Sequence, residues 1–245
     1  MSVAAISNAT NTKLGHLIHG WSIPAGREWS CPGETSICGS RCYAKRGFFR
    51  MRTVRESHIK NYEYSQVTEF TDWMIATIAS RFVRVMRVHV SGDFYDSEYV
   101  RKWIDVVRRS PHCQFFAYTR SWQIEEMLPE LVALGSLRNF QLWWSIDRAT
   151  GSAPTIRGIR RAYMAISDVD AENAPDDCDL VFRDQPDTVM KKANGIQVCP
   201  PENGVVTQVN IGCSNCGICW KHKDTRWERD LLPYIDGTEI NAPDR

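Results

Sequence analysis

VRVMRVHVSGDFYDSEYVRKW, residues 83–103, is the stretch on which the reading of the fold turns. Val83 to Val90 is rich in β-branched side chains and alternates, which marks a strand. Ser91-Gly92-Asp93-Phe94 follows as a turn. Asp96 or Ser97 then caps a helix running to about Ser110, with Tyr99, Trp103, Val106 and Val107 on one face. Strand, polar turn and amphipathic helix in succession are the first half of a βαβ unit.

The same pattern extends in both directions. His16–Ala25 reads as a first strand, and Val54–Phe82 as a long amphipathic helix with one break. Gln114–Thr119 is the next strand, and Ile124–Leu134 a helix stopped at Gly135. Phe140–Ile146 is a strand ending at Asp147, Thr155–Ile166 is helical, and Asp179–Phe182 is a short strand. Recurrence at roughly 30-residue intervals predicts an α/β fold on a parallel sheet. The expected architecture is a parallel (β/α) barrel, or an incomplete TIM-like barrel of five or six units. A doubly wound open sheet is the runner-up, and it lacks a GxGxxG after the first strand. Residues 1–15 read as a flexible arm in which Asn11, Lys13 and Gly15 would close over a site. Residues 16–185 form the barrel domain, with an acidic loop at 167–177. Residues 186–245 are an irregular, cysteine-rich, metal-binding extension lying on the barrel.

The chain has 245 residues, 43% of them hydrophobic and 24% charged, with a net charge of +1. Near-zero charge argues against strong non-specific nucleic-acid binding. No run approaches a membrane span, and the N-terminus lacks a signal-peptide pattern, so a reducing cytoplasm is expected. Nine cysteines there point to metal ligation rather than disulfides. Nine tryptophans, among them Trp21, Trp29, Trp143, Trp144 and Trp220, either pack the core or shield a cluster from water.

Seven cysteines fall in two groups. Cys31, Cys38 and Cys42 are spaced C-x6-C-x3-C in the loop after the first strand. Cys213, Cys216 and Cys219 are spaced C-x2-C-x2-C, with Cys199-Pro200 upstream. Two-residue gaps turn successive thiolates onto one cluster face, and a remote Cys-Pro completes a ferredoxin-type [4Fe–4S] set. Zinc is the alternative metal. His222 is a substitute ligand at most. The first group supplies three ligands and leaves a fourth position for S-adenosylmethionine, a small-molecule substrate or a ligand from the second group, so one cluster or two are expected. Cys113 and Cys178 stand alone and read as non-ligands. Polar residues collect where parallel α/β folds build sites, past the strand ends: Ser91, Gly92 and Asp93, Thr119 and Arg120, then Asp147 and Asp184. The first three and the two last each have an ordinary turn or cap role as the competing reading.

CPGETSICGSRCYAKRG, HVSGDFYDSEYVRKW, FFAYTRS and GCSNCGICW, in this order, resemble the phage gene product eighty-eight family over roughly 12–222. The resemblance implies a phage or prophage origin and a host-cytoplasmic setting. A cysteine triplet after the first strand of a parallel barrel is also similar to radical S-adenosylmethionine enzymes. That resemblance implies that Ser91-Gly92-Asp93 holds the methionine amine. The family's own triplet is C-x3-C-x2-C, so barrel and cluster are implied more directly than radical chemistry. Two functions follow as expectations: a cluster-binding protein with an open iron for S-adenosylmethionine or substrate, or a non-enzymatic phage protein whose metal sites are structural and which engages a host protein or nucleic acid. Plain electron transfer is a third.

Overall fold

The computed structural model describes residues 4–7, 14–184, 187–202 and 212–221. Six strands make one sheet in chain order: β1 (Ile18–Gly20), β2 (Val85–Arg87), β3 (Gln114–Thr119), β4 (Phe140–Ile146), β5 (Arg160–Ala165) and β6 (Leu180–Arg183). Every neighbouring pair is parallel. The order never reverses, which excludes the doubly wound alternative. β1 and β6 do not pair with each other, so the closed barrel is also excluded. Closure of a TIM barrel takes eight strands with matched tilt and shear. The architecture is a mixed α/β half-barrel, the incomplete form of the expected fold.

Seven helices accompany the sheet among the described residues: α1 (Ser36–Arg41), α2 (Arg52–Gln66), α3 (Phe70–Ser80), α4 (Ser97–Arg108), α5 (Leu128–Gly135), α6 (Asp168–Glu172) and α7 (Cys213–Cys216). The long helix expected over Val54–Phe82 is α2 and α3, broken at Val67, whose backbone is extended. Asp96 caps α4, its Oδ1 accepting from Tyr99 N at 2.7 Å.

Residues opposite each other across a parallel ladder share a face. The registers put Ile18, Val85, Phe116, Tyr118, Trp143, Ala162 and Leu180 on one side. Met86, Phe115, Ala117, Leu142, Trp144, Tyr163 and Val181 face the other, where they pack with α3, α4 and α5 in the main core. Trp21, Phe70, Tyr99 and Trp103 meet there edge-on, with ring centroids 5.5–6.5 Å apart. Truncating one such aromatic costs about 3–5 kcal/mol.

Two expectations are corrected. Thr155–Ile166 is no helix. Gly158, at φ +87°, breaks it, and Arg160–Ala165 alternates between the two faces as β5. The acidic loop at 167–177 contains α6, capped by the Ser167 hydroxyl, which accepts from Asp170 N at 3.1 Å. The described part of the N-terminal arm is docked. Ser7 N donates to Gly20 O at 2.8 Å, Ile6 is buried, and the Asn61 side chain brackets Ala5. Asn11 and Lys13 lie outside the described residues.

β1 and β2 are shorter than expected, yet their ladder continues. Trp21 N donates to Arg87 O, Val90 N to Trp21 O, and Ile23 N to Ser91 O, at 2.8–3.0 Å. The interruption is His89, held at φ +63° and 3% exposed. Its Nε2 lies 3.0 Å from the Tyr99 hydroxyl, which also accepts from Trp21 Nε1. Burial, with Arg87's charge second, pushes its pKa down from 6.5 to about 3. A histidine whose folded value is lowered leaves stability whole above the unfolded value of 6.5. That stability is lost as pH falls toward the folded value. His89→Asn, which tolerates positive φ, should reduce stability at neutral pH and flatten its decline below pH ~6.5 in chemical denaturation; an unchanged slope would show that His89 does not set it.

Candidate functional site: two cysteine groups on the half-barrel

The first cysteine loop closes the mouth of the half-barrel at the carboxyl ends of its strands. A Cβ at Gly33 would stand 2.2 Å from the Arg120 carbonyl oxygen, so only glycine lets the loop press against the end of β3. Gln123 Nε2 donates to Gly33 O at 2.9 Å. Thr35 caps α1, its Oγ1 accepting from Cys38 N at 3.0 Å and donating to Asp147 Oδ2 at 2.7 Å. Arg41 pairs with Asp184 at 3.4 Å, and the Tyr43 hydroxyl donates to Val90 O. The loop is thereby tied to the ends of β2, β3, β4 and β6.

Beneath it lies a buried ion pair. Arg120 Nη2 donates to Asp147 Oδ2 at 3.0 Å, with the two side chains 7% and 0% exposed. Arg120 Nη1 donates to Ser145 Oγ at 2.6 Å, and its Nε has no partner among the described residues. Asp147 Oδ1 accepts from Ala149 N at 2.8 Å.

Ser91, Gly92 and Asp93 support the same loop. Ser91 Oγ donates to Ile23 O at 3.0 Å. Gly92, at φ +88°, sits where a Cβ would be 2.4 Å from Ile23 Cγ1 and 2.7 Å from Ser30 Oγ. Asp93 Oδ1 accepts from Phe94 N and Oδ2 from Arg120 N, both at 2.8 Å, while its own N–H donates to Ser30 Oγ at 3.3 Å. Burial lifts the Asp93 carboxyl to about 6.

The three thiols are neighbours within this frame. Cys31 Sγ accepts from Gly26 N at 3.4 Å. Burial, then Asp93, pushes Cys31 up to about 12; burial pushes Cys38 up to about 11 against Arg120's pull, and burial also raises Cys42. Cys38 feels Cys42, and Cys31 feels Cys38.

The second group occupies the concave face. Cys199 N donates to Val181 O at 2.8 Å, and the thiol packs against Trp143, Ala162 and Leu180. Cys213 and Cys219 pack against Ile18, Val85, Phe116 and Trp220. Trp143 Nε1 donates to Cys219 O and Arg160 Nη1 to Ile218 O, each at 2.8 Å, while Ser214 N donates to Leu14 O at 3.1 Å. α7 ends at Gly217, whose φ of +73° turns the chain toward Cys219. Burial raises the Cys219 thiol to about 11. His222 and the tail after it lie outside the described residues.

None of the nine cysteines is in a disulfide. Among the described residues no three His, Cys, Asp or Glu side chains are gathered to hold one metal ion. Cys113 and Cys178 pack in the main core with Trp21 and Trp144, whereas Trp143 and Trp220 lie beside the second cysteine group and Trp29 is 41% exposed. A charged groove of about 410 Å³ between α3 and α4 lies away from both groups, and its Arg109 is already paired with Asp72 and Asp105. Thr35, Arg87, Tyr118 and Arg160 join the site without having been singled out for it in the sequence. Arg87 carried a signal: a charge at an inward position of an apolar strand.

Fold and site define a cysteine-rich parallel half-barrel with thiols at its mouth and in its hollow. Among the described residues no helix is long and apolar enough to cross a membrane. The family described as Gene product 88 matches residues 3–222, and the chain belongs to it. The Gene 88 protein of Mycobacterium phage L5 is 26% identical over 230 residues, covering 87% of each chain. The Gene 88 protein of Mycobacterium phage D29 is 24% identical over 235 residues, again covering 87% of each. The chain is thus a member of a bacteriophage protein family, and no solved structure matches it.

The hierarchy of loop anchors is measurable. Asp147→Asn leaves the Arg120 charge without its partner and should cost ~3 kcal/mol. Thr35→Ala removes a cap and should cost ~1 kcal/mol. Equal losses in urea unfolding would show that the ion pair is not the main anchor.

Proposed function

We propose that this protein is an iron–sulfur protein in which Cys31, Cys38 and Cys42 hold a [4Fe–4S] cluster over the half-barrel's mouth. Three ligands leave one iron for S-adenosylmethionine or a small-molecule substrate. The observation that carries the reading is the clamped loop: three neighbouring thiols are held at the carboxyl edge of a parallel sheet by contacts to four strand ends. Parallel folds place their sites at that edge. The donor set fits the group. Thiolates are its usual ligands, Gly26 N already donates to the Cys31 sulfur, and a cubane presents its irons at separate corners rather than asking three sulfurs to meet at one ion.

When bound and reduced, such a cluster supplies one electron to what occupies its open iron. Ser91 and Asp93 each keep lone pairs beyond those used in the structure, and these would accept from a ligand amine or hydroxyl. Asp147 and Asp184 hold the loop and would act on the ligand through it. The setting inferred is the host cytoplasm, where thiols stay reduced.

A second reading has its own support. Ser91, Asp93, Asp147 and Asp184 all spend hydrogen bonds on the frame. That favours a non-enzymatic phage protein whose metal sites, iron–sulfur or zinc, staple loops while the surface engages a host protein or nucleic acid.

Purification without oxygen should give a brown protein absorbing broadly near ~400 nm, with that absorption reduced in Cys38→Ala. Added S-adenosylmethionine and reductant should change the cluster's EPR signal and release 5′-deoxyadenosine. A colourless protein carrying zinc would overturn the cluster. A cluster unmoved by S-adenosylmethionine, together with capture of a host partner, would select the second reading.

A further inference from the structure

We propose that the hollow of the half-barrel is a second iron–sulfur site, ligated by Cys199, Cys213, Cys216 and Cys219, and that Arg87 couples it to the mouth as an electron donor. The ligand count comes first. The group offers four thiols in ferredoxin-like spacing, so a cluster there would have no open iron and would carry electrons rather than bind substrate. The four residues come from two segments that meet on the concave face, at Val181 and at Leu14.

The lining carries the argument further. Arg87 projects from β2 into a wall of Ile18, Val85, Phe116 and Tyr118. Its Nη2 donates to the Tyr43 hydroxyl at 3.1 Å, and its Cζ lies 5.6 Å from the Tyr118 ring centroid. No carboxylate among the described residues pairs with it, and its Nε is buried without a hydrogen-bond partner among the described residues. The Tyr118 hydroxyl is buried beside the Cys219 thiol, the acceptor it faces. Arg160 stacks on Trp143 at 4.0 Å, and its Nε stands 3.9 Å from Asp179, too far to donate. Arg87 and Arg160 keep spare N–H groups, and the Tyr118 hydroxyl faces a neutral thiol, which is a weak acceptor. A thiolate-ligated cluster supplies the missing negative charge, and hydrogen bonds to its sulfurs tune its potential.

Arg87 reaches both groups. On one side are Tyr118 and Cys219; on the other is Tyr43, bonded directly to Cys42. In the step inferred, an external one-electron reductant reduces the cluster in the hollow. That cluster is then reoxidised as one electron passes to the cluster at the mouth. The donor role rests on the function proposed above; the site itself does not.

The test uses the full chain, purified anaerobically, with iron counted per chain. The triple variants Cys213→Ala/Cys216→Ala/Cys219→Ala and Cys31→Ala/Cys38→Ala/Cys42→Ala should each lose about half the iron. The second variant should keep a cluster that dithionite reduces and S-adenosylmethionine does not perturb. Arg87→Met should keep full iron, lower that cluster's midpoint potential by removing a nearby cation, and slow reduction of the mouth cluster. Full iron in the first triple variant, or zinc in place of iron at the second group, would overturn the inference while leaving the mouth reading intact. Iron lost entirely with the first triple variant and not at all with the second would sink the mouth reading and keep the site in the hollow. If the first triple variant fails to fold, spin quantitation of the reduced wild-type protein decides: two cluster signals per chain support the proposal, and one overturns it.

Discussion

Six parallel strands bury two faces, and crossover helices cover only one of them. That constraint governs the molecule. In a closed barrel the inward side chains fill the interior by themselves. Here the sheet stops at β6, and its concave face presents Ile18, Val85, Phe116, Trp143 and Leu180 with nothing from a further strand to meet them. The second cysteine segment fills that role, through Cys199, Cys213, Cys219 and Trp220. The first cysteine loop fills the equivalent role at the mouth. Both chemical groups therefore occupy places that the fold must cover in any case, and their placement has a structural cause as well as a chemical one.

At the mouth, magnitudes separate the anchors. Arg41 with Asp184 and Lys45 with Glu34 are partly exposed pairs at 3.4 and 3.2 Å, worth about 0–1 kcal/mol each. The Arg120–Asp147 pair is nearly dry. Breaking it strands a charge, so it dominates although its net contribution as a pair is small. Asp93 works differently. Burial disfavours its charge, and the Thr119 side chain and the N–H groups of Arg120 and Phe94 offset only part of that cost. Its ionisation in the folded state therefore opposes stability above the usual carboxylate range, opposite in sign to the effect of His89 on acidification.

Much of this was legible in the residues. β3 and β4 read at their observed bounds because QFFAYT and FQLWWSI are long, apolar and bounded by polar turns. The cap of α4 was visible in Asp96. β5 was not legible, because RRAYMA is rich in helix formers and only its place between β4 and β6 makes it a strand. The cysteine spacings marked both groups but not their relation, since β2 to β6 lie between them in the chain. Ser91 and Asp93 were visible as polar residues past a strand; that their bonds run to Ile23 and Arg120 backbone depends on which loops meet there. Arg120 was visible in the same way, but not its pairing, since its partners are on β4 and the turn after it.

The charge in the hollow is the feature that packing alone does not require. Withdrawing a guanidinium fully from water costs several kcal/mol. A contact between Arg87 and the Tyr118 face returns about 0.5–2 kcal/mol, and a hydrogen bond to the Tyr43 hydroxyl about 1.5–3 kcal/mol. Arg87 is part-buried and its bond to Tyr43 lies on the exposed side, so those terms are of the size that a partly withdrawn arginine needs. Arg160 adds a second cation to the same face, with Asp179 at 3.9 Å as its only carboxylate among the described residues. A hydrophobic side chain at either position would cover the concave face as well and carry no such cost. Two arginines and a tyrosine hydroxyl give that lining a polar, cationic strip among apolar side chains, beside the thiols of Cys213 and Cys219.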